Sequence, residues 1–376
     1  MKFCVPSKTF YNYASAVNKV INSKNALTVL NNFLMTLEGD TVTLTGSDVE
    51  NQLTARIPVT DAQGSGSVCV DARRMVELLK EIPDQGLTVE VDSNYKVRIS
   101  YSNGGCEFVA IDGIEFPAAK RDEEDTAEPV SFTCPSKVLS RGIENTLFAA
   151  TTDDYRPVMM GVFFDIKPDG ITFVATDTRK LVKYTDNNCQ PNVTATCVVP
   201  PKPANILRSV FAGEEDVKLT LTRKSATIEN GSFVFNCRFL QGNFPDYNRV
   251  IPRNNTLVLT VDRLAMLNAV RRVGLFVSLE YGLEKFKITP DNLEIKSEDN
   301  NLLTAARESL PCSFTGEQLV IGFGAPYLLE MLNTLKTTDI TISLSDPGRP
   351  GLFRPTEDEP NTELVMLLMP MTVGEY

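Results

Sequence analysis

Apolar residues recur along this chain with two spacings, and each spacing predicts one kind of element. In residues 7–24, Phe10, Ala14 and Val17 follow at three to four positions, the period of one face of an α-helix. The stretches Leu30 to Leu37 and Thr41 to Thr45 instead alternate apolar with polar positions, as half-buried β-strands do. Helical spacing recurs five more times, which predicts further helices in residues 71–82, 136–148, 201–212, 261–273 and 326–336.

Short polar segments join the predicted strands and indicate antiparallel hairpins. Glu38-Gly-Asp40, Lys167-Pro-Asp-Gly170 and Thr289-Pro-Asp-Asn292 each contain residues that favour tight turns. Each of them separates two alternating stretches. The flanking strands are Leu30 to Leu37 with Thr41 to Thr45, Val158 to Ile166 with Ile171 to Ala175, and Leu283 to Ile288 with Leu293 to Lys296.

The order of these elements repeats. Phe3-Cys-Val-Pro-Ser-Lys8 returns as Phe132-Thr-Cys-Pro-Ser-Lys137, and Leu257 to Arg263 opens the last third in a similar way. Each third divides again into two halves, and each half has a strand, a helix and about three strands. The closing strands of the first two thirds, Cys106 to Pro117 and Phe233 to Pro245, also match. The sequence therefore predicts an α+β fold of three similar domains, each built from two half-repeats.

Two polar stretches suggest where these domains begin and end. Lys120 to Pro129 is charged and almost without apolar residues, and Pro252 to Thr256 lies before the third repeat. We predict domains at residues 1–127, 128–252 and 253–376, each of a size that supports its own core.

Composition excludes several classes of protein. Of the 376 residues 42% are apolar, and no apolar run approaches the length of about 20 that crosses a bilayer. The eight cysteines stand singly, which predicts reduced thiols and a cytoplasmic location. No histidine is present, so the Ser/His and Cys/His nucleophile systems and His-ligated metal sites are absent. We expect no cofactor and no metal.

Positive charge is concentrated in the predicted helices. The six helical windows carry fourteen Lys or Arg against six Asp or Glu, whereas the whole chain has a net charge of −11. A basic helical face on an acidic protein attracts phosphates without reading bases, so we predict sequence-independent binding of double-stranded DNA. The residues predicted to face DNA are Lys24, Arg73, Lys137, Arg141 and Lys202.

Several short motifs, taken with the repeats, resemble the bacterial DNA polymerase III beta subunit family, the sliding clamps. They are Met1-Lys-Phe3, Leu44 to Glu50, Arg156-Pro-Val-Met-Met-Gly161, Ala175-Thr-Asp177, Asn243 to Pro252, Gly322-Phe323 with Tyr327-Leu-Leu329, and Met369-Pro-Met371. Each motif alone is weak, but their order and spacing over the whole chain make the resemblance specific. The chain departs from the family pattern at Arg179, Gly324 and Thr372.

The resemblance implies a homodimer joined head to tail, with helices lining a hole for duplex DNA and antiparallel sheets outside. It also implies a pocket between the second and third domains that binds short peptide motifs of the DNA polymerase, the clamp loader and repair polymerases. Such a peptide has a glutamine followed by leucine and a Leu-Phe pair. Carried over by motif, the pocket residues are Met159, Thr176, Thr178, Arg179, Leu181, Pro245, Arg249, Val250, Tyr327, Leu367, Met369, Pro370 and Met371.

Two other functions are alternatives to this one. An enzyme would have to use carboxylates such as Asp153 with Asp154, or Asp177 with Arg179, and adjacent acids on an extended strand point apart. A protein scaffold built from the same repeats, without DNA encirclement, is the stronger alternative. We therefore expect a non-catalytic protein.

Overall fold

A strand, a helix and three antiparallel strands recur six times in the part of the chain that the structure describes. The computed structural model describes residues 1–22, 24–118, 128–277, 282–299 and 303–373. The first half-unit contains β1 (Lys2–Pro6), α1 (Ser7–Asn18), β2 (Asn32–Glu38), β3 (Thr41–Ser47) and β4 (Gln52–Pro58). The second contains β6 (Gly66–Asp71), α2 (Ala72–Glu81), β7 (Gly86–Val91), β8 (Lys96–Tyr101) and β9 (Gly104–Val109). The short strand β5 (Thr60–Gln63) lies between these two half-units in the chain, and β10 (Ile111–Asp112) follows the second.

The other four half-units repeat this order. The third and fourth are β11 (Val130–Pro135), α3 (Ser136–Thr146), β12 (Val162–Lys167), β13 (Gly170–Thr176) and β14 (Lys180–Asp186), then β15 (Ala195–Val199), α4 (Pro201–Val210), β16 (Asp216–Leu221), β17 (Ser225–Glu229) and β18 (Phe233–Arg238). The fifth and sixth are β19 (Leu257–Asp262), α5 (Arg263–Val273), β20 (Leu283–Ile288), β21 (Asn292–Asp299) and β22 (Thr304–Pro311), then, after β23 (Ser313–Phe314), β24 (Leu319–Gly324), α6 (Ala325–Thr334), β25 (Asp339–Leu344), β26 (Gly351–Pro355) and β27 (Thr362–Leu368). The predicted α+β fold and its half-repeats are confirmed.

Local sequence explains where several elements begin and turn. Asp71 and Asp262 accept hydrogen bonds from the backbone N–H groups of Arg74 and Ala265, so each aspartate caps the helix that follows it. Gly39 has a φ of +55° in the turn between β2 and β3, a conformation that glycine adopts without strain. The three predicted hairpins are all present.

Several predicted boundaries were wrong. The first helix ends at Asn18 rather than at residue 24, although Val20 beyond it is still buried. The strand predicted from Val158 begins at Val162, because Pro157 opens a one-turn 3₁₀ helix, Pro157–Met159. The predicted closing strands end earlier than expected, at Val109 and at Arg238.

The described residues form two compact units. The first contains residues 1–140 and 202–240, and the second contains residues 141–201 and 241–376 as far as they are described. The chain therefore leaves the first unit within α3 and returns to it at the start of α4. These units do not follow the three predicted domains, because sheets continue from one repeat into another. The run predicted as a linker, from Lys120, lies mostly outside the described residues.

Each unit holds two antiparallel sheets in its described part. In the first unit the strand orders are β5-β1-β7-β8-β9 and β10-β6-β2-β3-β4-β18-β17-β16-β11. In the second unit they are β15-β12-β13-β14-β27-β26-β25-β19-β23 and β22-β21-β20-β24. Helices pack on these sheets through buried apolar residues such as Phe10, Leu79 and Leu328.

The closing strand of a half-unit, its third strand after the helix, pairs according to a rule. In the first unit β4 pairs with β18, which joins the first half-unit to the fourth. In the second unit β14 pairs with β27, which joins the third half-unit to the sixth. The closing strands of the second and fifth half-units, β9 and β22, lie at the ends of their sheets with one open side among the described strands.

One carboxyl group in the second unit is buried and has no hydrogen-bond partner within the part of the chain that the structure describes. Glu284 on β20 has no exposed surface, and its two oxygens have no hydrogen-bond partner among the described residues. A Cβ at Gly274, at the end of α5, would lie 3.2 Å from Glu284 Oε1. Burial raises the pKa of Glu284 to about 8, so this side chain is largely protonated at neutral pH.

The raised pKa of Glu284 makes stability depend on pH in a defined direction. A glutamate with a normal pKa in the unfolded chain and a raised one in the folded chain destabilises the fold increasingly as pH rises from about 4.5 to 8. Glu284→Gln removes this charge, so its gain in unfolding free energy over the wild type is expected to be about 3.5 kcal/mol larger at pH 8 than at pH 5. Thermal unfolding at the two pH values, with exposed Glu317→Gln as control, measures it. Equal gains at both pH values would contradict an ionising, buried Glu284.

No helix in the described residues is long and apolar enough to span a membrane.

Candidate functional site

The second unit contains an apolar groove of about 180 Å³. Its residues come from the turn before β12, the β13–β14 turn, the segment after β18 and the end of β27. They are Met159, Thr176, Thr178, Lys180, Leu181, Phe244, Pro245, Asp246, Tyr247, Val250, Leu367 and Met369.

Pairing of β14 with β27 forms the floor of the groove. Leu181 and Leu367 lie opposite each other across this pair and are both buried. They pack in a cluster with Val174 and Tyr247, against which Phe244 also packs. The floor therefore belongs to a packed core, which fixes its shape before any ligand binds.

Aromatic side chains support one wall of the groove. The rings of Phe163 and Phe244 are stacked at 4.7 Å between centroids and are almost parallel. The hydroxyl of Tyr247 donates a 2.8 Å hydrogen bond to Asp165 Oδ2. Burial, together with this hydrogen bond, raises the pKa of Tyr247 far above its usual range, so Tyr247 stays a neutral donor.

The β13–β14 turn is held by its own polar groups. Oδ1 of Asp177 accepts hydrogen bonds from the backbone N–H groups of Arg179 and Lys180, and Thr176 Oγ1 accepts one from Thr178 N. Thr178 has a φ of +77°, which is strained for a β-branched residue. The turn presents Thr178 at the mouth of the groove and Lys180 inside it.

Lys180 is a buried cation at one end of the groove. Only 5% of its side chain is exposed, and its ammonium contacts Asp177 Oδ2 at 2.8 Å and Glu330 Oε2 at 2.9 Å. The ammonium also lies 4.8 Å from the centre of the Tyr327 ring. Burial lowers the pKa of Lys180, but the hydrogen bonds to the two carboxylates outweigh burial and raise it overall, so Lys180 remains charged.

The C-terminal segment closes one side of the groove. Met369 N donates to the carbonyl of Arg179, and Met371 N donates to the carbonyl of Gly322, both at 2.8 Å. The first bond places Met369 along the groove with 42% of its surface exposed. Met369 is therefore an apolar side chain available to a ligand.

The structure brings together many, but not all, of the residues predicted for a pocket. Those that line the groove are Met159, Thr176, Thr178, Leu181, Pro245, Val250, Leu367 and Met369. Arg179, Arg249, Tyr327, Pro370 and Met371 are not among the lining residues. Arg249 is exposed and paired with Asp246, and Tyr327 lies beyond Lys180.

Sequence reasoning missed four residues of the lining: Lys180, Phe244, Asp246 and Tyr247. Phe244, Asp246 and Tyr247 lie within the motif Asn243 to Pro252, so the sequence could have identified them as groove residues. Lys180 could not be identified from the sequence, because nothing in the local sequence distinguishes a buried lysine that pairs with a distant glutamate from an exposed lysine.

The residues predicted to face DNA differ in how available their charges are. Lys24 is exposed in the segment after α1, and Arg73 on α2 is 86% exposed, although it pairs with Glu77. Lys137 and Arg141 on α3 are about half exposed and pair with Glu214 and Glu359. Exposed ion pairs of this kind are weak, so phosphates can replace the carboxylates.

Lys202 has a different environment. Its ammonium donates to the carbonyl of Val20, to Asn22 Oδ1 and to Asp48 Oδ2, and only 6% of the Asp48 side chain is exposed. These bonds tie the start of α4 to the segment after α1 inside the first unit. The Lys202 charge is therefore already neutralised within the protein.

Exposed apolar residues lie beside the two closing strands that have an open side. Val109 ends β9 in the first unit and is 77% exposed. In the second unit, the one-turn 3₁₀ helix Gly274–Phe276 contacts β22 and exposes Leu275 to 78%. Leu303, immediately before β22, is also exposed. Such residues next to an unpaired strand are typical of a protein interface.

In the described part of the chain, no three Cys, Asp or Glu side chains are grouped as metal ligands. None of the eight cysteines forms a disulfide bond. Asp153 and Asp154 are exposed on a loop.

Comparison with known proteins gives matches along almost the entire chain. Three family profiles match: DNA polymerase III beta subunit, N-terminal domain at residues 1–117, central domain at 133–246 and C-terminal domain at 248–371. A beta sliding clamp of Proteus mirabilis is 26% identical over 92% of this chain and 94% of its own length. One from Pseudomonas aeruginosa is 25% identical over 97% and 99%. The solved sliding clamp of Pseudomonas aeruginosa bound to griselimycin has a TM-score of 0.92 at 25% identity, covering 99% of this chain and 100% of that one.

Proposed function

Because the chain belongs to the DNA polymerase III beta subunit family, we propose that two copies close head to tail into a ring around duplex DNA. The chain is a bacterial sliding clamp, a non-catalytic subunit of the polymerase. In this ring each copy contributes three similar domains, 1–127, 128–252 and 253–376, and the protein acts in the cytoplasm. The absence of disulfide bonds among the eight cysteines is consistent with that reducing compartment.

The pairing rule of the closing strands carries this proposal. The closing strand of the first half-unit pairs with that of the fourth, and the closing strand of the third pairs with that of the sixth. If the count of half-units continues into another copy, the next step of the rule pairs the fifth with the eighth. Half-unit eight is the second half-unit of another copy, whose closing strand is β9. An antiparallel pair between β22 of one copy and β9 of the other makes a nine-stranded sheet, the same number as in the two sheets that cross repeats within the described chain. Two such seams use the open closing strands β9 and β22 of both copies and close the assembly.

The apolar residues beside the two strands support the same seam. Val109 at the end of β9, and Leu275 and Leu303 next to β22, would leave water when the strands pair. Sheet edges with exposed apolar residues are an aggregation hazard unless they are covered, and a second copy covers them. In the proposed ring the seam therefore gains both backbone hydrogen bonds and apolar burial.

The charge of the helices supports duplex binding through the hole. Within their observed bounds, the described helices carry eleven Lys or Arg against four Asp or Glu, in a chain of net charge −11. Such a surface holds phosphates without base contacts, so the clamp slides. Lys24, Arg73, Lys137 and Arg141 are the proposed DNA-facing residues, and Lys202 contributes less because Asp48 neutralises it.

A charge reversal tests the DNA-facing residues. Lys24→Glu with Arg73→Glu is expected to weaken retention on nicked circular DNA and to reduce the slope of log affinity against log salt by about 2, since each lost phosphate contact removes about 0.9. Retention after loading by the cognate loader, over a range of salt and on two unrelated sequences, measures this. Lys167→Glu with Lys218→Glu, two exposed strand residues, is the matched control. An effect seen on only one of the DNA sequences would contradict the proposal.

We also propose that the groove binds short peptide motifs of the DNA polymerase, the clamp loader and repair polymerases. Its floor is apolar and preformed, and Met159 and Met369 adapt to different side chains because methionine is flexible. The griselimycin-bound clamp of Pseudomonas aeruginosa, similar over the whole chain, is consistent with a ligand-binding surface in this family. Arg179, Arg249, Tyr327, Pro370 and Met371 would contact the parts of a peptide that extend beyond the groove.

A further inference from the structure

A hydrogen bond at the mouth of the groove connects two of its walls. Arg156 Nη1 donates to Thr178 Oγ1 at 2.9 Å. Arg156 precedes the 3₁₀ helix that carries Met159, and Thr178 belongs to the β13–β14 turn. We call this Arg156–Thr178 bond the clasp.

Both partners of the clasp are fixed by further bonds. Thr178 N donates to Thr176 Oγ1, which holds Thr178 at its positive φ. On the other wall, Met159 N donates to the carbonyl of Arg156 at 2.9 Å, and Thr151 N donates to the carbonyl of Met159 at 3.1 Å. The distance between the two walls is therefore set by the protein before a ligand arrives.

The backbone of Thr178 is an unfavourable one for threonine. A β-branched residue with a φ of +77° is a genuine outlier, and such strain persists only where the surroundings impose it. Glycine or asparagine would adopt this backbone with less strain. The side chain that causes the strain is also the one that narrows the groove, since Thr178 is one of its lining residues.

From these observations we infer that Thr178, held by Arg156, limits the size of the apolar side chain that the groove admits. This inference rests on the proposed peptide-binding role of the groove and adds its specificity. Apolar pockets discriminate by volume, because one extra methylene changes binding by roughly tenfold or more. Removing the three heavy atoms of the Thr178 side chain from a wall of a 180 Å³ groove is therefore expected to change binding by a similar factor.

Two substitutions at Thr178 separate wall size from backbone strain. Thr178→Gly relieves the strain and opens the wall, whereas Thr178→Asn relieves the strain but keeps a side chain that can accept from Arg156. Both variants are expected to melt at or above the wild-type temperature, because neither forces a β-branched residue into this conformation. The full-length protein is used throughout.

The probes are three fluorescent peptides of the pattern Gln-Leu-x-Leu-Phe. One is the reference, and in the other two the second leucine or the phenylalanine is replaced by tryptophan. For Thr178→Gly, the affinity of at least one enlarged peptide relative to the reference is expected to rise about tenfold over wild type. For Thr178→Asn, both ratios are expected to stay within about twofold of wild type.

Two results would overturn the inference while leaving the proposed function intact. The first is that Thr178→Gly leaves the affinity of both enlarged peptides, relative to the reference peptide, unchanged. The second is that Thr178→Asn changes these relative affinities as much as Thr178→Gly does. If the wild type bound none of the three peptides, the peptide-binding role of the groove would fail, and the inference with it.

Discussion

Replacing Leu275 with aspartate is expected to separate the clamp into single chains at micromolar concentration. Leu275 lies beside β22 and is 78% exposed in one chain, so the substitution leaves the core of the second unit unchanged. In the proposed ring this side chain is covered by the other copy, and a carboxylate there would lose its water without gaining a partner. The same change occurs at both seams.

The expected effect is at least about 100-fold on the dissociation constant, or about 3 kcal/mol, as for a central apolar interface residue. Sedimentation velocity over a dilution series measures it. Leu264→Asp is the matched control, because Leu264 is a second exposed leucine, 53% exposed, near the other end of α5. If both variants stayed as paired as the wild type, β22 would not be the seam.

Replacing Met369 with aspartate is expected to remove most of the peptide affinity of the groove. Met369 is held along the groove by its backbone bond to Arg179, and its side chain is partly exposed, so the fold tolerates the change. A carboxylate at this position cannot pack on an apolar anchor and costs a peptide about 2 kcal/mol, or about 30-fold. Deleting Met369 to Tyr376 is expected to abolish binding entirely.

Fluorescence anisotropy with the Gln-Leu-x-Leu-Phe peptide measures the effect of Met369→Asp. Thr372→Asp, an exposed position three residues later in the same segment, is the control and should bind as the wild type does. The two-chain assembly should be unaffected in both variants, because neither position is near β9 or β22 in the sequence or in the proposed seam. Full peptide affinity in Met369→Asp would show that the groove is not the binding site.

Periodicity was sufficient to locate the elements of this fold but not their ends. Phe10, Ala14 and Val17 define a helical face, and the six predicted helices are present. Val20 continues that face in the sequence and is buried, yet the helix stops at Asn18. A buried apolar residue after a helix can have the same spacing as one inside it, so the periodicity alone cannot show where the helix ends.

Long-range pairing was the part that the sequence could not provide. Phe233 pairs with Ala55, and Lys180 with Leu368, in sheets that pass from one repeat into another. Edge strands of similar repeats have similar sequences, so their partners cannot be assigned from local pattern. For this reason the predicted domain boundaries and the compact units divide the chain differently.

The candidate site shows the same limit at the level of single residues. Motif order identified Met159, Leu181 and Met369, which line one groove. Whether a charged residue is exposed or neutralised within the protein depends instead on distant partners. Glu330 pairs with the buried ammonium of Lys180, and Asp48 neutralises the charge of Lys202. Such partners are more than a hundred residues away in the chain.

The mass of the wild-type protein in solution tests the two-chain ring most directly. The pairing rule uses every open closing strand with two copies, so native mass spectrometry or sedimentation equilibrium should find a single species of twice the 41.5 kDa chain mass. That mass should stay constant as concentration rises through the micromolar range. A single-chain species, as expected for a scaffold that does not encircle DNA, or a series of masses that grows with concentration would contradict the ring.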